Sequence, residues 1–253
     1  MADAAGSLAA TGAGEAAVVS NRADHIFYSA MAIAILAAVF LGFARTYYLK
    51  EFFGTPPLSP IFHVHAIIFT TWLLLFVTQT TLVREGRTDV HRKLGYAGGA
   101  LAAAMVVVGT LAALTSARLG RVGRGVGGLT DDPVAVFFSN MGDLVVFLTF
   151  LIPAFVYRRK PETHKRLMLL ATTAGLMPAA IGRWPFLHHS FARVTPVILT
   201  FVLAGPIYDL ISRRRVHSAY LWGLAIFVLT TPPFRIMLAR IQAMHAFGAW
   251  LIH

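Results

Sequence analysis

Apolar residues run along this chain in seven long blocks, at 26–44, 60–82, 95–116, 134–156, 167–187, 195–211 and 219–238, separated by short polar turns. Blocks of about 20 apolar residues match the length of helix that crosses a bilayer. The pattern therefore predicts an all-α polytopic membrane bundle of about seven transmembrane helices. Residues 1–24 are rich in Ala, Gly and Ser and lack the basic start and apolar core of a signal peptide. They are expected as a disordered cytoplasmic tail ahead of a transmembrane domain at 25–238. Pro232 and Pro233 should kink the last block. Residues 239–253 are then expected along the outer interface, where Trp250 is at home.

Composition agrees with that pattern: 57% of residues are hydrophobic and 13% charged, against about 25% charged in a soluble domain. A net charge of +11 would suit a nucleic-acid binder if it were gathered on one face. Here it is dispersed into turns, which argues against nucleic acid and for the lipid bilayer as the partner. Twelve of the Lys and Arg residues lie in three turns, 83–93, 157–166 and 212–217, which follow the second, fourth and sixth blocks. The alternate turns hold six. The positive-inside bias then places the N-terminus and basic turns in the cytoplasm and the C-terminus outside, as in a bacterial inner-membrane protein. With no cysteine present, any metal would have to be held by His, carboxylate, Met or backbone.

Two of the basic turns align without a gap. Arg87-Thr88-Asp89-Val90-His91-Arg92-Lys93-Leu94 matches Lys160-Pro161-Glu162-Thr163-His164-Lys165-Arg166-Leu167, and Arg213-Arg214-Arg215-Val216-His217 is a weaker third copy. The spans thus read as helical hairpins, at least two of them duplicated. Asp89 and Glu162 fall where an acid meets the positive end of a helix dipole, and Pro161 suits a first helical turn. His91 and His164 enter the membrane boundary at equivalent points of two helices. One reading makes them interfacial residues bonded to carbonyls or headgroups. The other makes them a ligand pair for haem b, with Arg92, Lys93, Lys165 and Arg166 as partners for anionic groups such as its propionates.

Ionisable groups inside spans are costly and point to function by default. Asp209 lies close enough to the basic 212–217 turn to pair there. Asn140, Asp143, Arg183 and Arg235, with His63, His65 and His188, fall at similar depth toward the opposite face, counted at about 1.5 Å per residue. Two arginines against one acid favour an anionic ligand or lipid headgroup, and the structural alternative is an ion pair locking the hairpins. His63 and His65 are about 200° apart on a regular helix, so one faces inward and the other a neighbour unless the helix begins irregularly. His63, His65, Asp143 and His188 also form an alternative site for zinc, copper or iron.

The stretch from His63 to Leu82 followed by His91-Arg92-Lys93-Leu94-Gly95 resembles an uncharacterised family of bacterial multipass membrane proteins. That family places a His early in one helix and His-Arg-x-Leu-Gly at the start of the next. His164-Lys165-Arg166-Leu167-Met168, with Arg183 beyond it, is similar to the family's second half, although an aromatic often stands where this chain has Leu167. The resemblance covers roughly residues 40–240 and implies the membrane fold without an activity. Three functions fit the residues: a His-ligated b-type haem redox protein, a non-catalytic transporter, lipid-binding protein or accessory subunit of a membrane complex, and a metal-dependent membrane enzyme.

Overall fold

Proline sets much of the helix punctuation. Pro60, Pro133, Pro161 and Pro232 each stand at the first position of a helix, where a missing N–H costs nothing and φ is already helical. The computed structural model describes residues 2–120, 130–187 and 190–252, and for residues 2–21 the helical backbone alone. Among these residues there are nine α-helices and no strand: α1 (Ala2–Phe43), α2 (Pro60–Arg84), α3 (Thr88–Arg118), α4 (Pro133–Val156), α5 (Pro161–Ile181), α6 (Phe191–Arg213), α7 (Ser218–Leu229), α8 (Pro232–Ala239) and α9 (Gln242–Ile252).

Five described helices are long and apolar enough to cross a membrane, or six if α7 and α8 form one span. The count of seven is not reached, because α5 is too polar to qualify. The reason lies in its position. Along α5, Arg166, Leu167, Leu169–Gly175, Met177, Ala180 and Ile181 are buried, so neighbouring helices rather than lipid surround it. Its Ala-Thr-Thr-Ala-Gly segment (171–175) admits close neighbours, as small residues do in membrane bundles. A Cβ on Gly175 would stand 2.7 Å from the Phe147 backbone of α4. One on Gly42 of α1 would collide with the Ala180 carbonyl.

The outward surface is apolar. Ile33, Ile67, Val107, Ile152 and Trp222 are all more than half exposed, as lipid-facing residues should be and as a water-soluble surface avoids. Hydroxyls within the helices are satisfied locally: Thr71, Thr78, Thr110, Thr149 and Thr173 each donate to the carbonyl four residues earlier. This suits a medium with no water to bond them.

Helices α2 and α3 form one hairpin and α4 and α5 another. The expected kink occurs at Pro232, where α8 departs from α7 by 46°. Beyond it, α9 packs on α4, with Gly248 against Val134 and Phe138, and Arg118 donates to the carbonyls of Leu251 and Ile252. Trp250 is 74% exposed. At the other terminus α1 runs without a break from Ala2 into the apolar span, where a disordered tail was expected. Alanine, the best helix former, is frequent there. Asp24, directly ahead of the apolar span, is buried.

Candidate functional site

Three groups of polar residues lie inside the bundle. At the basic end, Arg166 of α5 is fully buried and grips Asp209 of α6, Nε to Oδ2 at 2.8 Å and Nη2 to Oδ1 at 2.5 Å. Arg213 reaches Asp209 at 3.3 Å, Glu162 at 3.2 Å and Asp24 at 2.6 Å. Lys165 bridges Asp24 and Glu162, each at 2.5 Å. The His217 backbone N–H and the Tyr208 hydroxyl donate to Asp209 and Asp24. Three carboxylates thus meet three cations, and α1, α5 and α6 are tied at one end. Lys165 and Arg166, candidates for anionic groups of a cofactor, are engaged by the chain's own acids. Asp209 does pair with the basic turn through Arg213, but its closest partner is Arg166.

Beside this network the duplicated turns bring their two histidine rings close together, nearly perpendicular to each other. The ring centroids of His91 and His164 are 6.2 Å apart, with planes inclined at 82°. His164 is fixed by a 2.8 Å hydrogen bond between Nδ1 and the Ala154 carbonyl, which leaves its Nε2 to face another group. His91 Nδ1 is buried without a hydrogen-bond partner, as is Oε1 of Gln79. Next to His91 on the same helical face, a Cβ at Gly95 would meet no atom within 4 Å, and at Gly99 the nearest is Phe155 at 3.7 Å. Arg92 and Lys93 are exposed, and Arg92 Nε donates to the Thr88 carbonyl.

The third group lies toward the opposite end. A partly open cavity of about 530 Å³ is enclosed by α1 to α5 and the 44–58 connection, with His65, Asn140, Asp143 and Arg183 in its wall. Arg235 of α8 enters from outside it and meets Asp143 Oδ1 at 2.6 Å and the Ser139 carbonyl at 2.7 Å. Glycine at 142 is required for this approach, since a Cβ there would stand 2.5 Å from Arg235 Nε. Arg183 donates to the Ala179 carbonyl, and its guanidinium lies 4.8 Å over the Phe43 ring. Of Asn140, Asp143, Arg183 and Arg235, Asp143 and Arg235 pair directly between α4 and α8, while Asn140 and Arg183 line the cavity beside Asp143.

His63 and His65 diverge. His65 lines the cavity and stacks on Phe69 with centroids 4.0 Å apart, whereas His63 faces Tyr47 at 5.6 Å. His188 lies outside the described residues. Among those that are described, no three His, Asp or Glu side chains gather as metal ligands, and Asp143 is already engaged by Arg235.

Sequence reasoning passes over Asp24 because it stands in a stretch read as a tail. Its place directly before an apolar block and on the side of the basic turns was the available signal. It also passes over the seven-residue spacing of His65, Trp72 and Gln79, which puts all three on one face of α2. Each carries a buried polar atom without a partner. No family model, curated protein or solved structure matches this chain.

Proposed function

We propose that this chain is a membrane redox protein that holds a b-type haem between His91 and His164. The observation that carries the reading is the spacing of the two rings. A metal binds imidazole nitrogen at about 2 Å and the ring adds roughly 1 Å on each side, so two imidazoles on one metal stand about 6 Å apart. The 6.2 Å between the His91 and His164 centroids fits that value.

The surroundings fit as well. Metal-bound histidine typically donates its second ring N–H to a carbonyl, which fixes the tautomer and orients the ring. The Ala154 carbonyl does this for His164. His91 presents a buried nitrogen that lacks a partner, and Gly95 leaves open space beside it. Arg92 and Lys93 remain exposed for propionates, while Lys165 and Arg166 hold the helix ends together. When bound, haem would supply one-electron transfer, with its potential set by axial ligands and burial. The protein's part is to fix both rings, exclude water and keep the site at one end of a rigid bundle. The positive-inside bias supports an orientation with the basic turns and N-terminus cytoplasmic and the C-terminus outside, and a bacterial inner membrane is part of the same proposal.

The test is a reduced-minus-oxidised visible spectrum of protein purified in mild detergent with its haem supply intact. A Soret band with sharp reduced α and β bands is expected. His91→Ala and His164→Ala should each abolish it, while His63→Ala leaves it unchanged. Absence of a Soret band from the wild type, or its persistence in both variants, would overturn the assignment.

A further inference from the structure

The cavity at the end opposite the basic turns contains two polar atoms that the protein leaves unsatisfied. His65 Nδ1 and Thr46 Oγ1 are both buried without a hydrogen-bond partner, and both residues line this one cavity. A buried polar group without a partner is unfavourable, because it has given up its hydrogen bonds to water without replacing them. Two of them among the residues that line one cavity suit a ligand carrying a complementary group. The charged residues make no such demand: Asp143 is paired with Arg235 at 2.6 Å, and the Arg183 guanidinium lies on the Phe43 ring.

The remaining wall defines the rest of the ligand. Phe43, Phe62, Phe69, Leu73 and Leu176 make most of the lining apolar, and the stacked His65 and Phe69 rings present a flat surface. About 530 Å³ falls within the range of sites that take a small organic molecule. We infer that this cavity binds the head of a lipid-soluble quinone or quinol. A ring oxygen would bond the His65 nitrogen in the plane of the imidazole, the Thr46 hydroxyl would offer a second polar partner, and the flat ring would lie against the apolar aromatic wall. A neutral head fits the paired Asp143, and a planar one fits the aromatic wall. A phospholipid head offers no planar ring. This inference does not depend on the haem assignment, because the two sites share no residue.

The test is binding of a decyl-substituted benzoquinone to the purified full chain in detergent, read as saturable quenching of tryptophan fluorescence. The same samples are scanned for the Soret band, and their unfolding midpoints are compared. His65→Phe keeps the aromatic stack but removes the nitrogen and should weaken binding about tenfold, with Thr46→Val weakening it by a smaller factor. Ala112→Phe, which fills the cavity from α3, should abolish binding. Should one variant fail to fold, the other two still decide the matter. Loss of quinone binding with the Soret band intact supports this site, and loss of the Soret band alone bears only on the haem proposal. No saturable quenching in the wild type overturns the inference. So does binding indifferent to the folded variants, or complete displacement by equimolar oleate or phosphatidylglycerol.

Discussion

Replacing Asp209 by leucine removes the partner of a fully buried arginine, and its cost follows from the hydrogen bonds that go with the carboxylate. Arg166 makes two charge-assisted hydrogen bonds to this group, at 2.8 and 2.5 Å, with both side chains almost wholly inaccessible. Hydrogen bonds to charged groups contribute about 1.5–3 kcal/mol each, and breaking a buried pair from one side costs about 3–5 kcal/mol because it strands a charge. Arg166 would keep Glu162, but that carboxylate is half exposed and reaches it through one oxygen. The expected destabilisation is therefore about 3–5 kcal/mol. Replacing both partners, as Arg166→Met with Asp209→Leu, strands no charge and leaves only the His217 backbone N–H without its acceptor. Asp24 and Glu162 would still balance Lys165 and Arg213, so the double variant should recover most of the loss. Unfolding by SDS in mixed micelles, followed by helical circular dichroism, measures both. A single-variant cost below about 1 kcal/mol, or a double variant no more stable than the single, would refute the stranded-charge argument.

Asp143→Leu should destabilise the junction of α4 and α8 by about 2–4 kcal/mol, with Asp143→Asn milder because the amide oxygen can still accept from Arg235; the same unfolding assay resolves the order. Gly175→Val drives a Cβ to within 2.7 Å of the Phe147 backbone and should cost about 3 kcal/mol, seen as a lowered unfolding midpoint or failure to extract folded protein. His217, in the turn between α6 and α7, has its pKa lowered from 6.5 by burial and by the nearby Arg166. Its neutral Nδ1 accepts from the Ala219 N–H. Protons then bind the unfolded chain more readily, so stability conferred by this residue is full above pH 6.5 and declines as the pH falls from there toward its lower folded value. His217→Asn keeps a capping acceptor that does not titrate. The acid-induced drop in unfolding midpoint should therefore be smaller in that variant than in the wild type, and an equal drop would exclude His217 as a contributor.

Hydropathy, proline spacing and the duplicated turns were enough to establish a helical membrane bundle, the bend at Pro232 and the equivalence of His91 and His164. These are local or periodic properties, and each is written in consecutive residues. Hydropathy misjudges α5 because it measures preference for lipid, whereas this helix is solvated by α1, α4, α6 and α7. Its small residues and buried Arg166 become intelligible only once those neighbours are in place. The fate of each charge was also a tertiary matter. Arg166 and Lys165 look available in a basic turn, and only folding brings Asp24, from 141 residues before Lys165, and Asp209, from 43 residues after Arg166, to neutralise them. The opposite-end polar cluster was legible as a set of depths along helices. Depth fixes one coordinate, while rotation about each helix axis and the packing of its neighbours decide which groups meet. That is why His65 enters the cavity and His63 does not, and why Arg235 rather than Arg183 pairs with Asp143.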